Sequence, residues 1–120
     1  MSTTITITKS VDVDISTVET ERGDVARVAT VDQGYLTPTI VATATIYERD
    51  GAGYTVTGNF VDNYAVEAKA RKAVDGAYAV QFDSESGQFF AYTKDVVAAE
   101  RLATVVIKAA VEVALEAGEL

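Results

Sequence analysis

Several segments of the first 60 residues alternate apolar and polar side chains with a period of two, which is typical of half-buried β-strands. The alternation predicts strands over residues 4–8, 11–15, 25–31, 39–47 and 54–57. The first two form either one long strand or two short ones, because no strong turn pair separates them. Residues 16–24 are polar and contain Gly23, which indicates a loop with at most one helical turn. Asp50-Gly51 favours a hairpin turn between the strands at 39–47 and 54–57.

The spacing of apolar residues becomes helical after residue 60. Residues 62–75 form the first predicted helix, with Asp62 or Asn59 as its N-cap and Gly76 at its end. Glu67 and Arg71 are spaced to form an ion pair along its outer surface. Residues 94–117 form a second helix of nearly seven turns.

A second hairpin between the helices is predicted to pair residues 77–82 with residues 88–93 around a turn at 83–87. Two aromatic faces result, one on each strand, and we expect them to mark the thickest part of the core; they are made by Tyr78, Val80 and Phe82, and by Phe90 and Tyr92.

This order of elements predicts an α+β fold: a single antiparallel β-sheet of about six strands, covered on one face by two helices, of which the C-terminal one is long. A chain of 120 residues without a repeat or a linker is expected to form one domain over residues 1–120.

The composition excludes most of the familiar catalytic chemistry. The chain contains no cysteine and no histidine, which excludes disulfides, thiolate nucleophiles and the commonest metal ligand and acid–base group. We therefore expect no catalytic residues, no cofactor and no metal, and a protein that is not an enzyme. Eighteen acidic against ten basic residues give a net charge of −8, which disfavours direct binding to nucleic acid or to an anionic membrane and suits a basic protein partner. Without a targeting or membrane-spanning segment, the chain is expected to be soluble and cytoplasmic.

Four local patterns could carry chemistry. Asp12 and Asp14 alternate on one strand and could hold a cation or act as acid and base, but the solvent-exposed face of an edge strand explains them better. The 83–87 segment lacks the spacing of a calcium loop, and the glycines at 51, 53 and 58 lie between strands rather than before a helix, unlike a phosphate loop. A basic cluster on the first helix is expected to be a solvated face; it consists of Lys69, Arg71 and Lys72.

The C-terminal helix has more apolar surface than contact with one sheet would hide. A heptad register makes every a and d position apolar and most of them small. This pattern predicts a homodimer or higher oligomer through that helix, while a central helix enclosed by its own domain remains the alternative. The predicted interface residues are Ala99, Ala103, Val106, Ala110, Val113 and Ala117.

These observations predict a non-catalytic, acidic protein-binding module. By analogy, it would be an inhibitor from a virus or mobile element that occupies the basic, nucleic-acid-binding surface of its partner. The alternatives are a self-assembling structural subunit, for example of a viral particle, and a small-ligand-binding protein. The acidic residues expected to face the partner are Asp12, Asp14, Asp83 and Glu85.

Overall fold

A computed structural model describes residues 13–31, 39–49, 51–77 and 79–118. Its elements follow the chain as four strands, a helix, two strands and a helix: β1 (Val13–Glu19), β2 (Val25–Val31), β3 (Thr39–Glu48), β4 (Tyr54–Gly58), α1 (Asn63–Val74), β5 (Gln81–Phe82), β6 (Phe89–Thr93) and α2 (Val96–Glu116).

The strands form one six-stranded sheet in the order β1-β2-β3-β4-β6-β5, and every neighbouring pair is antiparallel. α2 packs on the central strands β2, β3 and β4, and α1 packs beside it and against β6. The predicted α+β fold, with two helices covering one face of the sheet, is confirmed.

Strand boundaries differ from the sequence prediction by more than one residue in two places. Residues 16–19 were expected in a loop but continue β1, and the turn to β2 follows at residues 20–24, where Gly23 has a φ of 85°. The strand predicted at 77–82 is reduced to Gln81–Phe82, since its preceding described residues make no ladder with β6. The predicted strand at 4–8 and the first two residues of the one at 11–15 lie outside the described residues.

The core lies between the helices and the covered face of the sheet. Small residues dominate the sheet side, where Ala29, Ala42 and Ala44 are buried beside Ile46 and Val56. α2 contributes its buried face, including Leu102, Val106 and Ile107, all with no exposed surface. Small residues on both sides allow the helix backbone to come close to the strands, which is how one helix covers three of them.

Both helices begin at an aspartate. The carboxylate of Asp62 accepts a hydrogen bond from the Ala65 amide (3.1 Å), and that of Asp95 accepts one from the Ala98 amide (2.8 Å). Asp62 is therefore the N-cap of α1, one of the two residues predicted for that role.

Buried Asn63 ties the start of α1 to the β5–β6 hairpin. Its Oδ1 accepts from the Phe60 amide (2.9 Å) and its Nδ2 donates to the Ser86 carbonyl (3.1 Å). Beside it, Gly58 leaves room for the Phe60 ring, because a Cβ at residue 58 would collide with that ring. These contacts fix the end of the sheet at which α1 starts.

Candidate functional site

The predicted interface on the C-terminal helix lies inside the chain. Ala99, Ala103 and Val106 have no exposed surface, and Ala110 and Val113 are each 5% exposed. Only Ala117, the C-cap of α2, is exposed. From Ala99 to Val113, the apolar stripe thus packs inside the chain's own core, which is the central-helix alternative, while the oligomer itself stays a prediction.

The acidic residues predicted to face a partner do not come together. Asp14 is exposed on β1, at one edge of the sheet, whereas Asp83 and Glu85 are exposed beyond β5, at the opposite edge. Five strand spacings of about 4.8 Å separate these edges by roughly 24 Å. Asp12 lies outside the described residues. The three described carboxylates therefore flank the sheet and do not form one cluster.

Metal binding has no constellation to support it in the described parts of the chain. Among those residues, no group of three carboxylates is arranged to hold an ion. The 83–87 segment instead closes the hairpin, where the Ser84 amide donates to Glu67 Oε1 (3.1 Å) and the Ser84 hydroxyl accepts from the Phe90 amide (3.3 Å).

The basic cluster on α1 is largely neutralised by neighbouring carboxylates. Lys69 Nζ lies 2.9 Å from Glu116 Oε1 and 3.5 Å from Glu112 Oε2, so it joins α1 to α2. The hydrogen bond to Glu116, together with the charges of both glutamates, raises the pKa of Lys69 above its ordinary value. Arg71 pairs with Glu67 at 3.5 Å, as the sequence spacing predicted, and also lies over the Phe82 ring at 5.1 Å.

The sheet face opposite the helices is the most distinctive surface, and we call it the open face. Alternation along each strand, fixed by the pairing register, assigns fifteen strand positions to it. These positions are Asp14, Ser16, Val18, Ala26, Val28, Thr30, Ile40, Thr43, Thr45, Tyr47, Thr55, Thr57, Gln81, Phe90 and Tyr92. Asp14 is the only charged residue among them.

Apolar and hydroxyl side chains make up most of the open face. Val18 and Ile40 are 47% and 62% exposed, while Thr55 and Thr57 are buried among their neighbours at the centre. A shallow hollow of about 460 Å³ runs between Ile40, Thr43, Thr45, Tyr47 and Thr57. This face carries Phe90 and Tyr92, so these aromatics do not mark the core as the sequence suggested.

Two arginines stack on tyrosines at one end of the open face. The Arg22 guanidinium lies 5.7 Å from the centre of the Tyr47 ring, and that of Arg49 lies 4.8 Å from the centre of the Tyr92 ring. Arg22 also lies 3.8 Å from Asp24. Each pair holds a flat aromatic surface and a cation in one place, an arrangement that suits contact with another molecule.

Two further findings concern membrane-spanning helices and similarity to known proteins. No helix in the described part of the chain is long and apolar enough to cross a membrane. Comparison of the chain with protein-family models, with curated proteins and with solved structures finds no match.

Proposed function

We propose that the protein is a non-catalytic binding module that docks the open face of its sheet on a basic protein. The observation that carries this proposal is that fourteen of the fifteen strand positions on that face are uncharged, in a chain of net charge −8. Interface centres are depleted of charged residues and enriched in aromatic ones, and the open face has both properties through Tyr47, Tyr92 and Phe90.

The tyrosines and arginines at one end of the open face support the same proposal. Tyrosine and arginine are the residues that most often dominate binding energy, and here they occur as the stacked pairs Arg22–Tyr47 and Arg49–Tyr92.

The area of the open face indicates that the edges of the sheet also contact the partner. Six strands of about six residues give a flat area of roughly 500 Å², whereas a standard interface buries about 800 Å² of each partner. We therefore expect a partner of ordinary interface size to cover Asp14 on β1 and to extend past β5 over Asp83 and Glu85. Charge complementarity with those edges is the reason we assign a basic partner rather than a second copy of this acidic chain.

Matched variants in a capture experiment test the proposal. Thr45 lies at the centre of the open face, so Thr45→Arg places a bulky charge there, whereas Lys72→Glu changes an exposed residue of α1 on the other side of the sheet. We expect wild type and Lys72→Glu to capture a stoichiometric protein of high isoelectric point from the cells that encode the chain, and Thr45→Arg to lose it. The captured protein is then purified, and its complex is measured directly with all three chains.

Several outcomes contradict the proposal. They are capture that Thr45→Arg leaves unchanged, capture of nucleic acid, the lack of any stoichiometric partner, or self-association of the isolated chain that Thr45→Arg abolishes. The finer proposal, inhibition of a nucleic-acid-binding protein, requires in addition that the chain compete with DNA or RNA for the purified partner.

A further inference from the structure

A cleft on the helix side of the molecule is separate from the open face and from the function proposed for it. It has a volume of about 430 Å³ and lies where the end of α1, the first half of α2 and β2 meet. Its apolar wall is made by Ala73, Val74, Ala77, Val97 and Val105. Both the volume and the apolar wall are typical of small-ligand sites.

Arg27 is a charged residue among apolar neighbours on the side of the sheet that the helices cover. It lies in β2 opposite Ala44, and the next positions on the same side, Val25 and Ala29, are apolar. Its Nε is buried and has no hydrogen-bond acceptor within the described residues. A buried N–H donor that lacks an acceptor is unfavourable, and this Nε is closed to solvent. Arg27 as a whole is only part-buried and lines the cleft, so other atoms of its side chain can meet an acceptor that enters there.

Two further charged residues line the cleft from α2. Arg101 adds a second guanidinium, and Glu100 adds one carboxylate, so the cleft has an excess of positive charge. Within the described residues, none of the ion pairs involves Arg27, Arg101 or Glu100. The Thr104 hydroxyl donates to the Glu100 carbonyl at 3.1 Å. The two guanidiniums are thus left to bind an anion.

We infer that this cleft binds a carboxylate attached to an apolar body. A guanidinium matches the two oxygens of a carboxylate through paired, charge-assisted hydrogen bonds, and neither Arg27 nor Arg101 has an ion-pair partner among the described residues. The apolar body would cover Val74, Val97 and Val105. A free aliphatic acid and the C-terminal carboxylate of an apolar peptide share this chemistry.

Calorimetric titration with octanoate tests the inference, with octanamide as the uncharged analogue. We expect saturable binding of octanoate at one site, and binding of octanamide that is about tenfold weaker or more. Arg27→Met should weaken octanoate binding by a similar factor, and Arg101→Met should also weaken it. Arg49→Met, which removes an arginine from the other side of the sheet, should not.

A second pair of probes identifies the source of the carboxylate. Acetyl-Ala-Val-Leu with a free carboxylate is compared with the same peptide as its C-terminal amide. Peptide binding tighter than octanoate binding assigns a protein C-terminus, and the reverse order assigns a free acid.

Circular dichroism of each variant checks that it folds. If Arg27→Met does not fold, Val105→Phe replaces it, because this variant fills the cleft without changing a charge. The inference is overturned if octanoate and octanamide bind equally, if Arg27→Met or Val105→Phe binds octanoate as wild type does, or if neither octanoate nor the peptide shows saturable binding.

Discussion

Phe89 is the largest fully buried side chain among the described residues, and it packs between two other aromatic rings. Phe60 lies edge to face with it at 5.9 Å and Phe82 at 6.2 Å, so the three rings join the β4–α1 connection to the β5–β6 hairpin. Phe89→Ala is therefore expected to lower the free energy of unfolding by about 3–5 kcal/mol, measured by urea denaturation.

Phe90 provides the matched control because it is the next residue and lies half-buried on the open face. We expect Phe90→Ala to cost roughly 1 kcal/mol. Equal losses for the two variants would contradict the assignment of Phe89 to the core and of Phe90 to the open face.

The sequence could not distinguish these two phenylalanines. It shows that adjacent strand residues point to opposite faces, but the face that the helices cover depends on the pairing of β6 with β4. Phe89 pairs with Gly58 and Ala91 pairs with Val56, which places both on the helix side. The same limit hid Arg27, because its position in an apolar strand gives no sign that it lies beneath a helix.

The C-terminal helix illustrates what a pattern of small residues does and does not specify. A heptad of alanine and valine fits a second helix, but it fits equally well against a sheet whose facing residues are also small. Here the facing residues are Ala29, Ala42 and Ala44. The length and position of the helix could be predicted from sequence, whereas its packing partner could not, since the two surfaces are far apart in the chain.

This packing decides the outcome of one substitution in α2. Ala110→Glu would place an unpaired charge in the core, and we expect it to cost about 4 kcal/mol or more and to unfold the chain. Lys108→Glu, two residues earlier on an exposed position, should leave the fold intact. Circular dichroism with size-exclusion chromatography separates the outcomes. A folded, soluble monomer from Ala110→Glu would instead restore the predicted oligomer interface.

The contact between the two helices is expected to depend on pH through Lys69. Because its folded-state pKa is raised by Glu116 and Glu112, the stabilisation is fully present below the unfolded-state pKa and is lost as the pH rises through the raised value. Lys69→Met should therefore lower Tm at neutral pH, and its difference from wild type should shrink in strongly alkaline solution. The size of this effect is small, since the pair lies at the surface.

Lys72→Met is the control for that pH dependence, because Lys72 is exposed on the same helix and takes part in none of the ion pairs among the described residues. Its difference from wild type should not change over the same pH range. A Lys69→Met difference that stays constant into alkaline solution would contradict an electrostatic role for this lysine.

At the scale of the whole molecule, the order of the strands determines which charges are neighbours. The first four strands follow one another in both sequence and space, and the sequence predicted a hairpin turn for the last of these connections, between β3 and β4. β6 then returns beside β4 and leaves β5 at the edge, so Asp83 and Glu85 lie on the far side of the sheet from Asp14. Nothing in the local pattern specifies this return, because it depends on where α1 carries the chain.

The net charge of −8 predicts that salt stabilises the folded chain. Folding brings the carboxylates closer together, and among the described residues only a few have cationic partners, such as Glu67 with Arg71. At 0.15 M ionic strength, exposed charges are screened beyond about 8 Å, so self-repulsion falls more in the folded state than in the unfolded one. Raising sodium chloride from about 10 mM to about 150 mM should therefore increase stability by about 1 kcal/mol, or Tm by roughly 4 °C.

A chain with fewer exposed carboxylates should respond less to salt. Asp14→Asn, Asp83→Asn and Glu85→Gln together change the net charge from −8 to −5 (−8 + 3) at positions exposed along the two edges of the sheet. We expect this triple variant to be more stable than wild type in low salt and to gain less when salt is added, as followed by thermal unfolding. A Tm that is independent of salt in wild type would show that the excess negative charge is too dispersed to oppose folding. If the variant is more stable but associates more slowly with the basic partner, the carboxylates at the edges of the open face serve binding at the expense of stability.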